Sequence, residues 1–413
     1  MNILIINHYA GSMEMGMEFR PYYLGQEWIK LGHKVSVIAG DYSHLRKKNP
    51  VVEKDFQKEN IAGLTYYWVK TGTYEGNGAQ RAITMFRFVG KLWMQAKMIA
   101  KHIKPDVVIS SSTYPIDTYA SQRIAKFSHA RLIHEVHDMW PSTLTEVGGM
   151  PKWNPFVIAM QIGENSAYRH SDYVVSLPPY AKKYMMKHGL KEEKFCHITN
   201  GIVLGDWEHP EEIPEEHREA LEKYREQGKF IVGYFGGHAL SNALDILIDA
   251  AECLRDDKNI QFVLVGNGVE KEKLQEKAKK KQLENICFLP PVPKLSVPKL
   301  LDLFDCVYIG AMNSPLYRFG IAMNKIYDSM MGGKPLLYAV NAPNNYVKRY
   351  HCGVSVEPGD VKELIQGIKK LMSMSEQERN TLGRNGKNAV IEHFNYTVLA
   401  KKFESVMRGD IGE

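Results

Sequence analysis

Short apolar runs recur along this chain, and the stretches between them place apolar residues at helical spacing. In the first half the runs fall at Ile3–Ile6, Val35–Ala39, Val107–Ser110, Leu132–Glu135, Tyr173–Ser176 and Cys196–Thr199, with Thr65–Val69 as a further strand candidate. In the second half they fall at Phe230–Tyr234, Gln261–Val265, Ile286–Leu289, Cys306–Gly310, Pro335–Ala339 and Val354–Val356. Strands alternating with helices predict parallel sheets covered on both faces. Two such series in tandem predict an α/β protein of two Rossmann-like domains facing a central cleft. The Glu-rich stretch from Ile202 to Lys229, holding Pro210 and Pro214, reads as the connection. The first domain then spans 1–205 and the second 206–389, and a last helical pattern runs from about Asn388 to Met407.

Open parallel sheets bind ligands beyond the carboxyl ends of their strands, so the loops after each run carry the candidate chemistry. The loop Ala311–Met323 is too long for a tight strand-to-helix connection. It delivers Asn324, Lys325 and Asp328 to a helix that ends at Gly332-Gly333. A helix N-terminus favours an anion, so a lysine on its first turn fits best where a phosphate is bound. Asp328, one turn on, can accept hydrogen bonds from sugar hydroxyls. The competing reading is an ordinary solvated Lys/Asp pair. After Phe230–Tyr234, Gly236 and Gly237 allow close backbone approach to a diphosphate. The residues that follow, His238–Ala243, bring no fixed positive charge. A diphosphate leaving group needs that charge from somewhere, and Lys325, with Arg318, is expected to supply it. Gly266, Asn267 and Gly268 form the next strand-end turn, and Val292 closes the one after Leu289.

In the first half the loop after Ile3–Ile6 holds Gly11 and leads to Arg20, without the GxGxxG of a nicotinamide dehydrogenase. Asp41–Arg46 groups His44 and Arg46 at a second strand end. Leu132–Glu135 is followed by His137-Asp138 and Trp140-Pro141. Adjacent ionisable residues at a strand end are costly to bury without a partner or ligand. Asn200-Gly201 needs only its turn geometry to explain it.

The run N-K-I-Y-D-S-M-M-G-G-K-P (324–335) resembles the donor-nucleotide helix of the family 4 retaining glycosyltransferases, and within them the branch that assembles bacterial O-antigen and capsular polysaccharides. Asp328 matches the second acid of the family's Glu-x7-Glu pattern, and Gly333-Lys334-Pro335 matches its closing turn. Gly320 stands where the first acid is expected. The resemblance covers nearly the whole chain and implies a GT-B enzyme whose last segment, 390–413, returns toward the first domain. It implies donor contacts at Gly236, Gly237, Gly266, Asn267, Gly268, Val292, Arg318, Asn324, Lys325 and Asp328. It puts Gly11 and Arg20 on the acceptor side, where His44 and Arg46 also fall. Catalytic roles are expected for His137, Asp138 and Lys325, with His137 facing the transferred sugar and Asp138 orienting it or holding a sugar hydroxyl. The implied donor is a nucleotide-diphosphate sugar, UDP-linked by family habit, and the implied acceptor is a lipid-linked saccharide. No cofactor is expected, and no metal: no Asp-x-Asp stands at a strand end to hold a diphosphate-bound cation.

Composition narrows the setting. With 44% hydrophobic and 24% charged residues in 413, the chain reads as globular, and charges interrupt its apolar runs before a membrane span is reached. The start, MNILIINHYAG, has no basic leader region and reads as a buried strand, so a cytoplasmic protein is expected. Five scattered cysteines without a CxxC pair suit reduced thiols. Residues 1–205 carry 25 Lys/Arg against 17 Asp/Glu, and the remainder 28 against 30, so the first half should meet the anionic partner. Within it, Arg81–Lys104 has six Lys/Arg and no acid, interleaved with large apolar residues. That pattern suits an anionic membrane surface, or else a core helix with a solvated basic face. No nucleic acid partner is expected. The alternatives are a nucleotide-sugar 2-epimerase and a non-catalytic two-domain sugar-binding protein.

Overall fold

The structure, a computed structural model, describes residues 1–16, 19–76 and 78–410. The chain divides into two compact units. The first comprises Met1–Asn200, Phe319–Ile321 and the chain from Tyr396 on; the second comprises Gly201–Arg318 and Ala322–Asn395.

The first unit holds β1 (Asn2–Ile6), β2 (Lys34–Gly40), β3 (Gln57–Ile61), β4 (Leu64–Val69), β5 (Val107–Ser110), β6 (Arg131–Val136), β7 (Tyr173–Ser176) and β8 (Phe195–His197). They lie in the order β3-β4-β2-β1-β5-β6-β7-β8, parallel throughout except for β3 against β4. Its helices are α1 (Phe19–Lys30), α2 (Ala79–Ile103), α3 (Thr118–Ser128), α4 (Pro155–His170) and α5 (Lys182–Lys187). The second unit holds β9 (Phe230–Gly237), β10 (Ile260–Asn267), β11 (Ile286–Leu289), β12 (Cys306–Gly310), β13 (Leu336–Ala339) and β14 (Gly353–Ser355), all parallel in the order β11-β10-β9-β12-β13-β14. Its helices are α6 (Gly205–Glu208), α7 (Glu215–Glu226), α8 (Asp245–Cys253), α9 (Lys271–Lys280) and α10 (Val297–Asp302). They continue as α11 (Asn324–Met331), α12 (Tyr346–Tyr350), α13 (Val361–Ser373) and α14 (Glu376–His393). The last helix, α15 (Tyr396–Arg408), packs in the first unit, where the Trp28 indole of α1 donates to Ala400 O at 3.1 Å.

Each sheet buries an apolar layer under its helices. In the first unit Leu4, Ile38 and Val108 meet Phe88, Leu92 and Ile99 of α2; in the second, Tyr234, Phe262 and Leu264 pack with Leu247, Ile368 and Leu371. Both strand orders reverse once, beside β1 and β5 in the first unit and beside β9 and β12 in the second. Such a reversal splays the neighbouring loops and opens a crevice at the strand ends.

Three local expectations are corrected. Edge strand β3 is invisible as an apolar run because its QKENI sequence is polar; it pairs with β4 through its backbone, and Glu59 Oε2 accepts the Trp68 indole N–H at 2.6 Å. The connection Ile202–Lys229 contains α7, whose buried side chains are His217 and Leu221, so its apolar signal is too sparse to stand out. The final helical pattern is two helices: Asn395 Nδ2 takes the Ile391 carbonyl at 2.6 Å, and Phe394 O accepts Ile202 N at 2.9 Å, which ends α14.

The basic helix is also less free than its composition implies. Lys91 Nζ pairs with Asp55 at 2.7 Å and donates to Lys70 O, and Arg87 donates to Thr71 O. The outward face of α2 shows Ile83, Phe86 and Met94, with exposed Lys97 and Lys101 further along. Among the described residues no helix is long and apolar enough to cross a membrane.

Candidate functional site

In the first unit the reversal at β1 and β5 gathers a polar cluster from four elements. Asn7, just past β1, donates from Nδ2 to Ser111 O at 2.7 Å. Ser111, just past β5, donates its hydroxyl to Glu135 Oε2 at 2.6 Å and stands 3.0 Å from His137 Nε2. Glu135 Oε2 is itself 3.2 Å from that nitrogen, and its Oε1 accepts Arg20 Nε at 3.0 Å. The period of a strand explains the pairing: Glu135 and His137 are two residues apart and fall on one side of β6 and its continuation. Glu135 is 3% exposed. Burial alone would raise its pKa, but Arg20 and His137, with the Ser111 hydroxyl, hold it far below the usual carboxylate range.

This geometry revises several assignments. Arg20 is buried and spent inside the unit, on Glu135 and on the carbonyls of Ile198 and Thr199, so it is framework rather than an acceptor contact. Arg46 is likewise buried, donating to Gly40 O and Ala10 O and covering Trp68, and it ties the two strand-end loops together. The carboxylate at His137 Nε2 is Glu135 and not Asp138, which is exposed. Gly11 has no left-handed backbone; its carbonyl accepts the Tyr66 hydroxyl at 2.7 Å. His44 is exposed and bonds Tyr74 OH through Nδ1 at 2.7 Å. Beside it Arg81 reaches Tyr9 OH at 3.2 Å and lies over that ring. Tyr9, Tyr74 and Arg81 were not picked out as site residues, because Tyr74 and Arg81 lie in a loop and a helix start far from β1 in sequence.

A narrow cavity behind His137 is lined by His134, Glu135, Asp138, Trp140 and Glu164. Glu164 is buried on α4 and accepts the hydroxyls of Tyr168 at 2.9 Å and Tyr184 at 3.0 Å; burial pushes its pKa up to about 7. Asp117, buried and accepting from Ser110 Oγ and Ser112 N, is raised to about 7 for the same reason.

In the second unit the reversal at β9 and β12 carries the other cluster. Tyr234 OH and Asn242 Nδ2 each donate to Gly237 O at 2.7 Å, which folds the loop after β9 into a fixed bend. Lys325, on the first turn of α11, donates to Asn242 Oδ1 and reaches Tyr234 OH at 3.4 Å, with Nζ 5.1 Å from that ring's centre. Burial lowers its pKa to about 8. Its ammonium therefore stands at the glycine loop that lacked a cation in the sequence. His238 cannot serve: it is wholly buried, neither ring nitrogen has a hydrogen-bond partner, and burial, with Lys271 nearby, lowers its pKa to about 4.

Asp328 lies one turn beyond Lys325, and burial raises its pKa to about 6, with Lys294 opposing and Asp206 adding to the shift. Lys294 and Asp206 pair at 3.1 Å. Asn324 is exposed at the start of α11, and Arg318, on the turn Pro315–Phe319, donates to Pro315 O at 2.6 Å. Gly266 and Gly268 have φ of +147° and +157°, and a Cβ would lie 1.9 Å from Gly236 O and 2.4 Å from His238 O. They are glycines because β10 runs against the backbone of the first glycine loop, a nearer cause than an approaching nucleotide. Asn267 Oδ1 accepts Gly268 N at 2.9 Å, Lys271 Nζ bridges Gly266 O and Leu289 O, and His217 Nε2 is 2.8 Å from Pro290 O, so the loop before Val292 is braced. Among the described residues no group of three or more His, Cys, Asp or Glu could hold a metal ion.

Residues 15–205 match the family profile Glycosyltransferase Family 4, and residues 215–389 match Glycosyl transferases group 1. The chain is 22% identical over 324 residues to the putative colanic acid biosynthesis glycosyl transferase WcaI of Escherichia coli (strain K12), covering 76% of each. Its fold is similar to a glycosyltransferase from Rickettsia africae ESF-5, with a TM-score of 0.70 at 15% identity over 100% of this chain and 98% of that one. It is also similar to Anabaena Alr3699/HepE in complex with UDP and glucose, with a TM-score of 0.65 at 16% identity over 99% of both chains.

Proposed function

We propose, from the premise that this chain belongs to the group 1 and family 4 glycosyltransferases, that it moves a sugar with retained configuration from a nucleotide-diphosphate sugar to a lipid-linked saccharide. The setting we assign is assembly of a cell-surface polysaccharide, in keeping with the similarity to a colanic acid enzyme. The observation that carries the reading is Lys325 held by Asn242 and Tyr234 at the Gly236-Gly237 bend. A largely buried ammonium beside a glycine loop can compensate the charge of a diphosphate leaving group, and in this reading it takes the place of a metal ion. Asp328 would accept hydroxyls of the donor. His137 would meet the transferred sugar, held by Glu135 and Ser111. His44 and Arg81, backed by the buried rings of Tyr74 and Tyr9, are the acceptor-side surface in this reading, replacing Arg20 and Arg46. UDP is the first donor nucleotide to try, because a similar fold holds it.

The acceptor's lipid calls for a membrane, and the outward face of α2 suits one. Ile83, Phe86 and Met94 are 53%, 47% and 68% exposed, and the basic side chains of Lys97 and Lys101 follow them. We assign the first unit to the inner face of an anionic leaflet on that ground.

A thermal-shift panel of UDP-, GDP- and dTDP-sugars tests the donor half. One nucleotide should stabilise the wild type and fail to stabilise Lys325→Ala. Equal stabilisation of both proteins would remove Lys325 from the donor site.

A further inference from the structure

Three helices lie over the first unit's sheet as one apolar layer. Phe88 and Leu92 of α2, Ile124 of α3 and Met160 of α4 pack in a single cluster with Leu4 and Val108 of the strands. The outward side of that layer is one-signed. α2 and α3 contain no Asp or Glu, and the one acid of α4, Glu164, is buried and takes the hydroxyls of Tyr168 and Tyr184. Among the described residues, every exposed charge on these helices is therefore positive, at Arg87, Lys97, Lys101, Lys126 and Arg169. The α4 end of the same side is apolar. Asn154 caps α4 by accepting Phe156 N at 2.9 Å, which sets Trp153 just ahead of the first turn, 77% exposed with Lys152 beside it. Ile158 and Ile162, one turn apart and 44% and 56% exposed, continue the stripe along the outer face. It joins the outward face of α2, where the rings of Phe156 and Phe86 meet edge-on at 6.4 Å.

A second copy of the chain meeting this surface across a two-fold axis would set positive charge against positive charge. An anionic bilayer answers both properties, with headgroups for the bases and an interfacial layer that suits an indole. We propose that α4, led by Trp153, is a second docking element, and that Trp153, Ile158 and Ile162 enter the boundary between headgroups and acyl chains of an anionic leaflet beside α2. The choice of a bilayer rests on the assignment of the α2 face above; the part played by α4 does not follow from it. The two elements contribute differently. The bases of α2 attract the surface from a distance and are screened by salt, whereas the uncharged stripe of α4 adds apolar burial that salt does not screen. Phe156 also meets Trp140 edge-on at 6.2 Å, so the docked end of α4 backs the loop that carries His137.

The test is sedimentation of the full chain with phosphatidylcholine vesicles containing phosphatidylglycerol, across a range of salt. Trp153→Ser combined with Ile158→Ser and Ile162→Ser changes exposed side chains only, and an unaltered Tm checks that the variant is folded. Its partition coefficient should fall at least about tenfold below wild type with the salt slope unaltered. In high salt the wild type should keep part of its binding and the triple variant should lose it. Brominated acyl chains should quench a fluorescence component of the wild type that is missing from Trp153→Phe. Equal partition of wild type and triple variant, with binding lost in Phe86→Ser with Met94→Ser, would overturn the role of α4 and leave the α2 reading standing. A wild type that binds no vesicles would overturn both. Self-association in solution that the triple variant abolishes would overturn the bilayer in favour of a second copy of the chain.

Discussion

In the proposed donor site, Lys325 and Asp328 would set opposite limits on donor binding. Burial lowers the lysine from 10.5 to about 8 and raises the aspartic acid from 3.8 to about 6. A bound diphosphate favours the charged lysine, so above pH 8 binding must take up a proton and the donor Kd should rise by up to about tenfold per pH unit. Hydroxyl groups favour the ionised Asp328, so below pH 6 binding must release a proton and the affinity should fall again. Calorimetric titration between pH 5 and pH 9.5 should therefore give a bell, and Lys325→Ala should abolish its alkaline limb. Asp328→Ala should raise the donor Kd by about tenfold, or ~1.4 kcal/mol, at pH 7. His137→Ala should behave differently, leaving donor Kd nearly unchanged while turnover falls at least about a hundredfold, roughly 3 kcal/mol of barrier. The placement of Lys325 beside the glycine loop was foreshadowed in the sequence, because a basic first turn contradicts the helix dipole. Glu135 was not, since a charged residue at the end of an apolar run looks like an ordinary strand terminus until its partners Arg20 and Ser111 arrive from 115 and 24 residues away.

Among the elements, the glycine turns and α2 make separate predictions. Gly266→Ala forces a side chain onto Gly236 O at a φ of +147°, and should cost at least about 1 kcal/mol of stability, read as a lowered Tm with weaker donor binding. On α2 the structure redirects the membrane experiment. Lys91 is paired with Asp55 and Arg87 with the Thr71 carbonyl, so neutralising either should change vesicle binding little. Phe86→Ser with Met94→Ser should weaken sedimentation with anionic vesicles, and Lys97→Gln with Lys101→Gln should flatten its salt dependence. Undiminished binding in both double variants would take the membrane away from this face. The same elements show what a linear pattern can carry. Buried parallel strands announce themselves as apolar runs, and α11 emerges with the predicted start. Polar β3 and the break at Phe394 do not, because backbone pairing and one Asn395 side-chain bond decide them. Arg20 and Arg46 read as ligand-binding for a related reason: sequence shows a cation at a strand-end loop, not the carbonyls that surround it.

For the whole molecule we propose that transfer from a nucleotide sugar depends on one group of each unit, Lys325 of the second and His137 of the first. The most direct measurement is a phosphorus-31 NMR time course of purified protein with a panel of UDP-, GDP- and dTDP-sugars, alone and with a lipid-linked saccharide fraction. The account predicts that one donor is converted to its nucleoside diphosphate, faster with the acceptor fraction. It predicts that His137→Ala still binds that donor but converts it at least about a hundredfold more slowly, the scale of losing one acid–base group. No conversion of any donor, or a nucleotide sugar merely epimerised with its diphosphate linkage intact, would contradict it.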